Sequence, residues 1–184
     1  VLDREVDVVV DAAGFAYSDQ WGEDPCAELA QSTRRWKKNG TRVILLSRAA
    51  LPMRHEWESY LASHGPADAT ARRLRAVLRL EAKAAQSGGA VEVARADVAN
   101  LAQMRRVIDD LAARHGGLTG VIHAAGVLDD APLLAKTDAN IDAVLAPKVQ
   151  GLRVLDQLLP DGTLDLMVLF SSTSTATRAA GQVD

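Results

Sequence analysis

Cysteine is almost missing from this sequence: Cys26 is the only one in 184 residues. That excludes an internal disulfide and any cysteine-based zinc cluster, and it fits a reducing, cytoplasmic setting. No charge sign dominates either. Lys and Arg number 21 against 24 Asp and Glu, a formal net charge of −3, so there is no basic field to attract nucleic acid or anionic lipid. No apolar run approaches the roughly 20 residues needed to span a bilayer, and no signal peptide opens the chain. Internal repeats and low-complexity linkers are also lacking.

What is present is ordinary globular composition, 48% hydrophobic and 24% charged, enough for one α/β domain with a sizeable core. Five short apolar runs alternate with helical patterns: Val6 to Val10, Arg42 to Leu46, Ala90 to Ala94, Leu118 to Ile122 and Leu164 to Phe170. Their near-continuous apolarity suits parallel strands buried on both faces. Between them, Leu101, Met104, Val107, Ile108 and Leu111 recur at helical spacing, as do Ile141, Val144, Leu145, Leu152, Leu155 and Leu159. Asn100 and Thr137 are placed to cap these two helices. Strand–helix alternation of this kind predicts a Rossmann-like, doubly wound parallel sheet with helices on both faces and ligands at the carboxyl ends of the strands.

Residues 49–89 form a helical insertion longer than a usual crossover. Trp57, Tyr60 and Leu61 share one helical face; His64-Gly65-Pro66 follows, and then an arginine-rich segment from Thr70 to Ala85. There Leu74, Val77, Leu78 and Leu80 mark an apolar face and Arg72, Arg73, Arg75 and Arg79 can point outward. A solvated amphipathic helical pair is the expectation, with a docking surface for a neighbouring domain as the other reading.

Several strand ends carry residues suited to a nucleotide. The run Arg42 to Leu46 ends in Ser47-Arg48, and an arginine there can bond a ribose 2′-phosphate where an acid would accept from a free 2′-hydroxyl. Arg48 therefore argues for NADPH over NADH, against the plainer reading of a surface arginine. After the next run comes Ala96-Asp97-Val98, whose carboxylate can accept from an adenine amine or cap the helix near Asn100. Gly120-Val121-Ile122-His123-Ala124-Ala125-Gly126 places small residues directly after a strand, where backbone can approach a cofactor. No metal-ligand spacing surrounds His123, and a loop-positioning role suits it better than acid–base work. Lys148 lies in a helix that Pro147 bends, and Ser171-Ser172 emerges from the last strand on the ligand side.

Taken together, these ordered motifs resemble the ketoreductase domain of modular polyketide synthases, within the short-chain dehydrogenase superfamily. The matching run extends from about Arg42 to Asp184. It takes in Leu45-Leu46-Ser47-Arg48, Ala96-Asp97-Val98, His123-Ala124-Ala125-Gly126-Val127-Leu128-Asp129-Asp130, Leu145-Ala146-Pro147-Lys148-Val149-Gln150-Gly151, Leu169-Phe170-Ser171-Ser172 and Gly181-Gln182. The long insertion also has a form common in that family. The resemblance implies NADPH-dependent reduction of a β-ketoacyl thioester on an acyl carrier protein, with neighbouring synthase domains as partners. It makes Ser172 the serine that bonds the substrate carbonyl and Lys148 the lysine that lowers the tyrosine pKa. Ser47, Arg48, Asp97, Val98, Ala124, Ala125, Gly126 and Gly14 become cofactor contacts. Asp130, closing a Leu-Asp-Asp motif, goes with delivery giving the D-configured hydroxyl.

The sequence departs from that pattern in two places. The family tyrosine is expected directly after Asp184, so residues 1–184 read as a single incomplete NADP-binding Rossmann domain, truncated at its C-terminal end and inactive alone. Its sheet is expected to expose an apolar patch. The other departure is in residues 1–41, a diverged first strand, loop and helix. A Gly-rich turn should cradle the pyrophosphate, yet only Gly14 and Gly22 stand near that position. Phe15, Tyr17 and Trp21 are bulky there, and Asp11, Asp19, Glu23 and Asp24 would repel phosphate. A non-catalytic, structural ketoreductase-like domain is therefore the alternative reading. A short-chain dehydrogenase acting on a free small molecule is a more remote one.

Overall fold

The computed structural model describes residues 7–11, 42–86 and 88–171. Among them the elements run, in order, β1 (Asp7–Asp11), β2 (Arg42–Ser47), α1 (Trp57–Ser63), α2 (Ala69–Ala85), β3 (Ala90–Arg95), α3 (Leu101–His115), β4 (Gly120–His123), α4 (Asp138–Leu145), α5 (Gly151–Leu158) and β5 (Leu166–Leu169). Short 3₁₀ turns sit at Arg54–Glu56 and Leu133–Ala135, and a π-helical turn, Ala146–Gln150, joins α4 to α5.

All pairings are parallel and the strand order is β3-β2-β1-β4-β5. The chain therefore builds outward from β1 to one side, then crosses back to place β4 on the other. That reversal opens a crevice at the carboxyl ends of β1 and β4, where Asp11 and His123 are register partners. The doubly wound sheet expected from the sequence is the one observed.

Strand side chains alternate between two cores, as a period of two requires. On one face Leu45 and Ile122, with the half-buried Val43, Val91 and Val168, pack against Trp57, Leu74, Ala76, Val77 and Leu80 of α1 and α2. On the other, Ile44, Leu46 and Val121 pack against Met104 and Leu111 of α3 and Val154 and Leu155 of α5. Burial on both faces holds for β2 and β4 but not for β3 and β5, which among the described residues lie at the two ends of the order and pair on one side only. Met167, Leu169 and Phe170 remain exposed along β5.

Two strands are shorter than their apolar runs. Leu118 and Leu164 belong to the second core without joining the ladder, because pairing starts where the Asp165 and Leu166 amides both donate to the Thr119 carbonyl. Apolarity thus marks burial at those ends rather than pairing. The first strand begins at Asp7, and Val6 lies outside the described residues.

Both expected caps are present. The Asn100 side chain accepts from the Gln103 amide at 3.0 Å, and Thr137 with Asn140 forms a capping box. Asp97 does not cap α3, because Asn100 holds that position. Its carboxylate instead accepts from the Ala99 amide, two residues on, at 3.0 Å, a tight local turn typical of Asp.

The insertion is the helical pair expected, but its arginines are not simply outward. Only Arg79 of the four is exposed. Arg75 donates to the His64 carbonyl at 3.0 Å and Arg72 to the Ala67 carbonyl at 3.2 Å, so two of them tie the α1–α2 connection together. Asp68 caps α2 by accepting from the Ala71 amide at 2.7 Å. That bond, with help from the Tyr60 hydroxyl, holds its carboxyl below the ordinary aspartate range.

At the amino end of the sheet Glu92 gathers two arginines and a histidine. Arg42 reaches it at 3.1 Å, Arg114 at 2.7 Å and His115 at 3.0 Å, while Arg114 also pairs with Asp110. Burial pushes the Glu92 carboxyl up, but the Arg114 hydrogen bond and the surrounding positive charge outweigh it and leave the carboxyl below its usual range. A lowered folded pKa contributes stability above the ordinary carboxylate value and loses it as pH falls through the lowered one. Glu92→Gln is therefore expected to lower the urea midpoint at neutral pH by about 1 kcal/mol of stability. The gap to the unsubstituted protein should close in acid, and a gap that persists there would show that packing, not charge, is lost.

Candidate functional site

The carboxyl ends of β2, β3 and β4 carry the residues singled out from the sequence. Ser47 closes β2, half-buried, and its hydroxyl accepts from the Ala49 amide at 3.2 Å, which turns the chain sharply past the strand. Arg48 follows and is exposed. Its carbonyl accepts from the Arg95 guanidinium at 3.3 Å, so the end of β3 fixes the end of β2.

After β3, Ala96 and Val98 are buried on either side of the half-buried Asp97. The Asp97 amide donates to the Gln103 side chain at 2.8 Å, anchoring the turn to the first turns of α3. Ala124, Ala125 and Gly126 leave β4. Ala125 is buried in the second core, and among the described residues no atom lies within 4 Å of a side-chain carbon added at Gly126. The sequence is thus small at the carboxyl end of β4.

His123 ends β4 and is buried, 7% exposed. It packs beneath α5: a Cβ placed on Gly151 would lie 3.4 Å from its Cε1 and 2.9 Å from Val98 Cγ1. Glycine at the start of α5 therefore lets that helix sit down on the end of β4 and on Val98. Gly151→Val is expected to destabilise the fold by roughly 2–3 kcal/mol through overpacking against the stiff Val98, read from a urea titration. No change there would mean the helix moves away freely.

The loop after β4 carries Asp130, exposed, and its half-buried neighbour Asp129. Asp129 accepts from Asn140 Nδ2 at 2.7 Å, so the residue that completes the α4 capping box with Thr137 also holds the Leu-Asp-Asp segment. The run Thr137 to Asn140 is legible in the sequence only as a cap; the spacing of eleven residues to Asp129 gives no signal.

Lys148 lies in the π-helical turn, exposed, beside the buried Pro147. Pro147 has no amide hydrogen to give to the preceding helix, and the turn widens so that the Gly151 amide reaches the Ala146 carbonyl. The expected local bend takes this form. Ser172 and Gly14 lie outside the described residues, as do the other positions of the front loop beyond Asp11. Ser171, exposed, directly follows β5 and Phe170. No cluster of His, Cys, Asp or Glu able to hold a metal occurs among the described residues, and no helix there is long and apolar enough to cross a membrane.

A family model described as the KR domain matches residues 26–184. The chain belongs to the ketoreductase (KR) domain family, of the polyketide-synthase type within the short-chain dehydrogenase superfamily. Polyketide synthase PksN of Bacillus subtilis is 31% identical over 180 residues, which cover 93% of this chain and 3% of that protein. The 6-methylsalicylic acid synthase of Aspergillus terreus is 39% identical over 147 residues, 79% of this chain and 8% of that one. A solved ketoreductase from the first module of phoslactomycin biosynthesis in a Streptomyces superposes with a TM-score of 0.65 at 30% identity, over 98% of this chain and 35% of its own. The N-terminal ketoreductase of the macrolactin assembly line, at 24% identity and a TM-score of 0.68, shares the fold. The chain thus spans under a tenth of these curated relatives and about a third of the solved ketoreductases. Ketoreductase domains of this superfamily use nicotinamide cofactors.

Proposed function

We propose that this domain reduces a β-ketoacyl thioester on an acyl carrier protein to the β-hydroxyacyl form, with NADPH, during polyketide chain extension. The observation that carries the reading is the gathering of Ser47-Arg48, Ala96-Asp97-Val98 and Ala124-Ala125-Gly126 at the carboxyl ends of three parallel strands flanking the order reversal, in a chain of ketoreductase ancestry.

The described residues fit a phosphorylated dinucleotide. The Arg48 guanidinium engages no carboxylate among the described residues, which leaves its donors for a 2′-phosphate, and Gly126, with no described atom within 4 Å of an added side-chain carbon, suits the approach of a ligand to backbone. Asp97 and Val98 would line the adenine, with Ser47, Ala124 and Ala125 contacting the adenosine half and Gly14 the pyrophosphate. When bound, the nicotinamide supplies a hydride to the β-carbon of the thioester. The Ser172 hydroxyl donates to the carbonyl oxygen on which negative charge grows. The Lys148 ammonium favours the phenolate of the family's tyrosine and so brings that proton donor toward working pH. Asp130 guides the face of approach, giving a D-configured hydroxyl, on a loop that Asn140 steadies through Asp129. The carrier protein and the neighbouring synthase domains are the partners this chemistry needs.

In the full-length protein Ser172→Ala is expected to reduce kcat on a β-ketoacyl thioester by on the order of 100-fold, the usual effect of losing one donor to a developing oxyanion, while NADPH affinity stays the same. Undiminished turnover in that variant would remove Ser172 from the reaction.

A further inference from the structure

The four arginines at the front of α2 do not behave alike. Arg72 and Arg75 bond the loop carbonyls between α1 and α2. Arg79 is exposed. Arg73 differs from all three: it is half-buried, yet among the described residues its guanidinium has neither an ion pair nor a hydrogen bond. It lines a small cavity with Leu45, Leu46, Ser47, Leu51, Val77 and Val93, and no carboxylate is among these lining residues.

The position of that cavity follows from topology. A right-handed crossover from β2 to the parallel β3 must carry the chain back to the amino end of the sheet. The start of α2 therefore stands over the carboxyl end of β2, and Arg73, one turn before Val77 on the same face, reaches the wall beside Ser47. Arg48 leaves the strand at that point and Arg95 holds the Arg48 carbonyl. Arginines thus arrive at this end of the sheet from three elements, Arg48 just after β2, Arg95 at the end of β3 and Arg73 from α2 beside Ser47, and two of them, Arg48 and Arg73, engage no anion among the described residues. The Arg73 side chain is half-buried along the cavity wall, yet none of its guanidinium nitrogens is both buried and unpaired, so its donors remain open to an anion.

We infer that Arg73 shares the 2′-phosphate of the cofactor with Arg48, so that the helical insertion, and not the end of β2 alone, sets the preference for the phosphorylated nucleotide. This rests on the NADPH reading above and deepens it. A phosphate dianion presents three oxygens, and a second guanidinium from another element gives it two forks of donors on different sides. The long insertion thereby acquires a role in binding, since it positions a charge that a short crossover would not place there.

Calorimetric titration of the full-length protein with 2′,5′-ADP and with 5′-AMP tests the inference, since the two probes differ only in the phosphate. Arg73→Gln keeps polarity and much of the length, and Arg73→Ala removes both. Each is expected to raise the Kd for 2′,5′-ADP by about tenfold, roughly the 1.4 kcal/mol of one charge-assisted bond, with 5′-AMP unchanged. An unaltered Kd for 2′,5′-ADP would overturn the inference, and so would equal weakening of both probes, which marks a packing role. If Arg48→Gln abolishes discrimination while the Arg73 variants retain it, only this inference fails. If the unsubstituted protein does not distinguish the two probes, the NADPH reading fails with it.

Discussion

Arg48→Ala is expected to raise the Kd for NADPH on the order of 10- to 100-fold, because a hydrogen bond to a charged group contributes about 1.5–3 kcal/mol and each 1.4 kcal/mol is tenfold. NADH affinity should scarcely move. The asymmetry matters more than the size. Arg48 stands at the end of β2 with its carbonyl held by Arg95 and its guanidinium outside every ion pair among the described residues. Removing its side chain therefore breaks no hydrogen bond or ion pair among them, and a loss confined to NADPH belongs to the ligand. Parallel weakening of both nucleotides in fluorescence titrations would instead mean that the substitution disturbs the β2 turn at Ser47.

Leu74→Ala is expected to cost about 3 kcal/mol of stability, within the range for fully buried leucines cut back to alanine. Leu74 is 0% exposed, and α2 presents it to the first core with Trp57, Val77 and Leu80. That helix spans the insertion, so the prediction makes the insertion part of the core rather than an appendage. Leu134 offers the control: it is 101% exposed in the 3₁₀ turn after β4, and its truncation should fall within about 0.5 kcal/mol. Urea midpoints of the two variants measure the contrast. A mild effect at Leu74 would show that α2 can detach without loss of the sheet.

The strands are legible in the sequence because apolar runs bounded by polar stops are the strongest local signal of a buried parallel sheet. β2 is bounded within one residue for that reason. The helices after β3 and β4 are legible from Asn100 and Thr137, whose side chains act on amides three residues away. What the sequence hides depends on distance. Leu118 and Leu164 are as apolar as ladder residues and differ only in lacking a partner strand beside them. Asp97 and Asn100 are both good caps in isolation, and the geometry of the turn decides between them. Arg72 and Arg75 share one side of the helical wheel and Arg73 falls beside Val77 and Leu80, but the loop carbonyls that two of them reach and the cavity wall that the third lines are set by tertiary packing. Among the site residues, Ser47, Arg48, Asp97, Val98 and Ala124 to Gly126 stand out because ligand crevices in such sheets lie at strand ends. Arg73 escapes that reasoning because it arrives there from a helix.

NADPH consumption by the full-length protein, supplied with a β-ketoacyl thioester of an acyl carrier protein, tests the proposed reduction most directly. The expected result is saturable consumption matched by equimolar β-hydroxyacyl product, with NADH a poor substitute. A folded protein that leaves the thioester unreduced would contradict it and turn the domain into a structural element of its synthase.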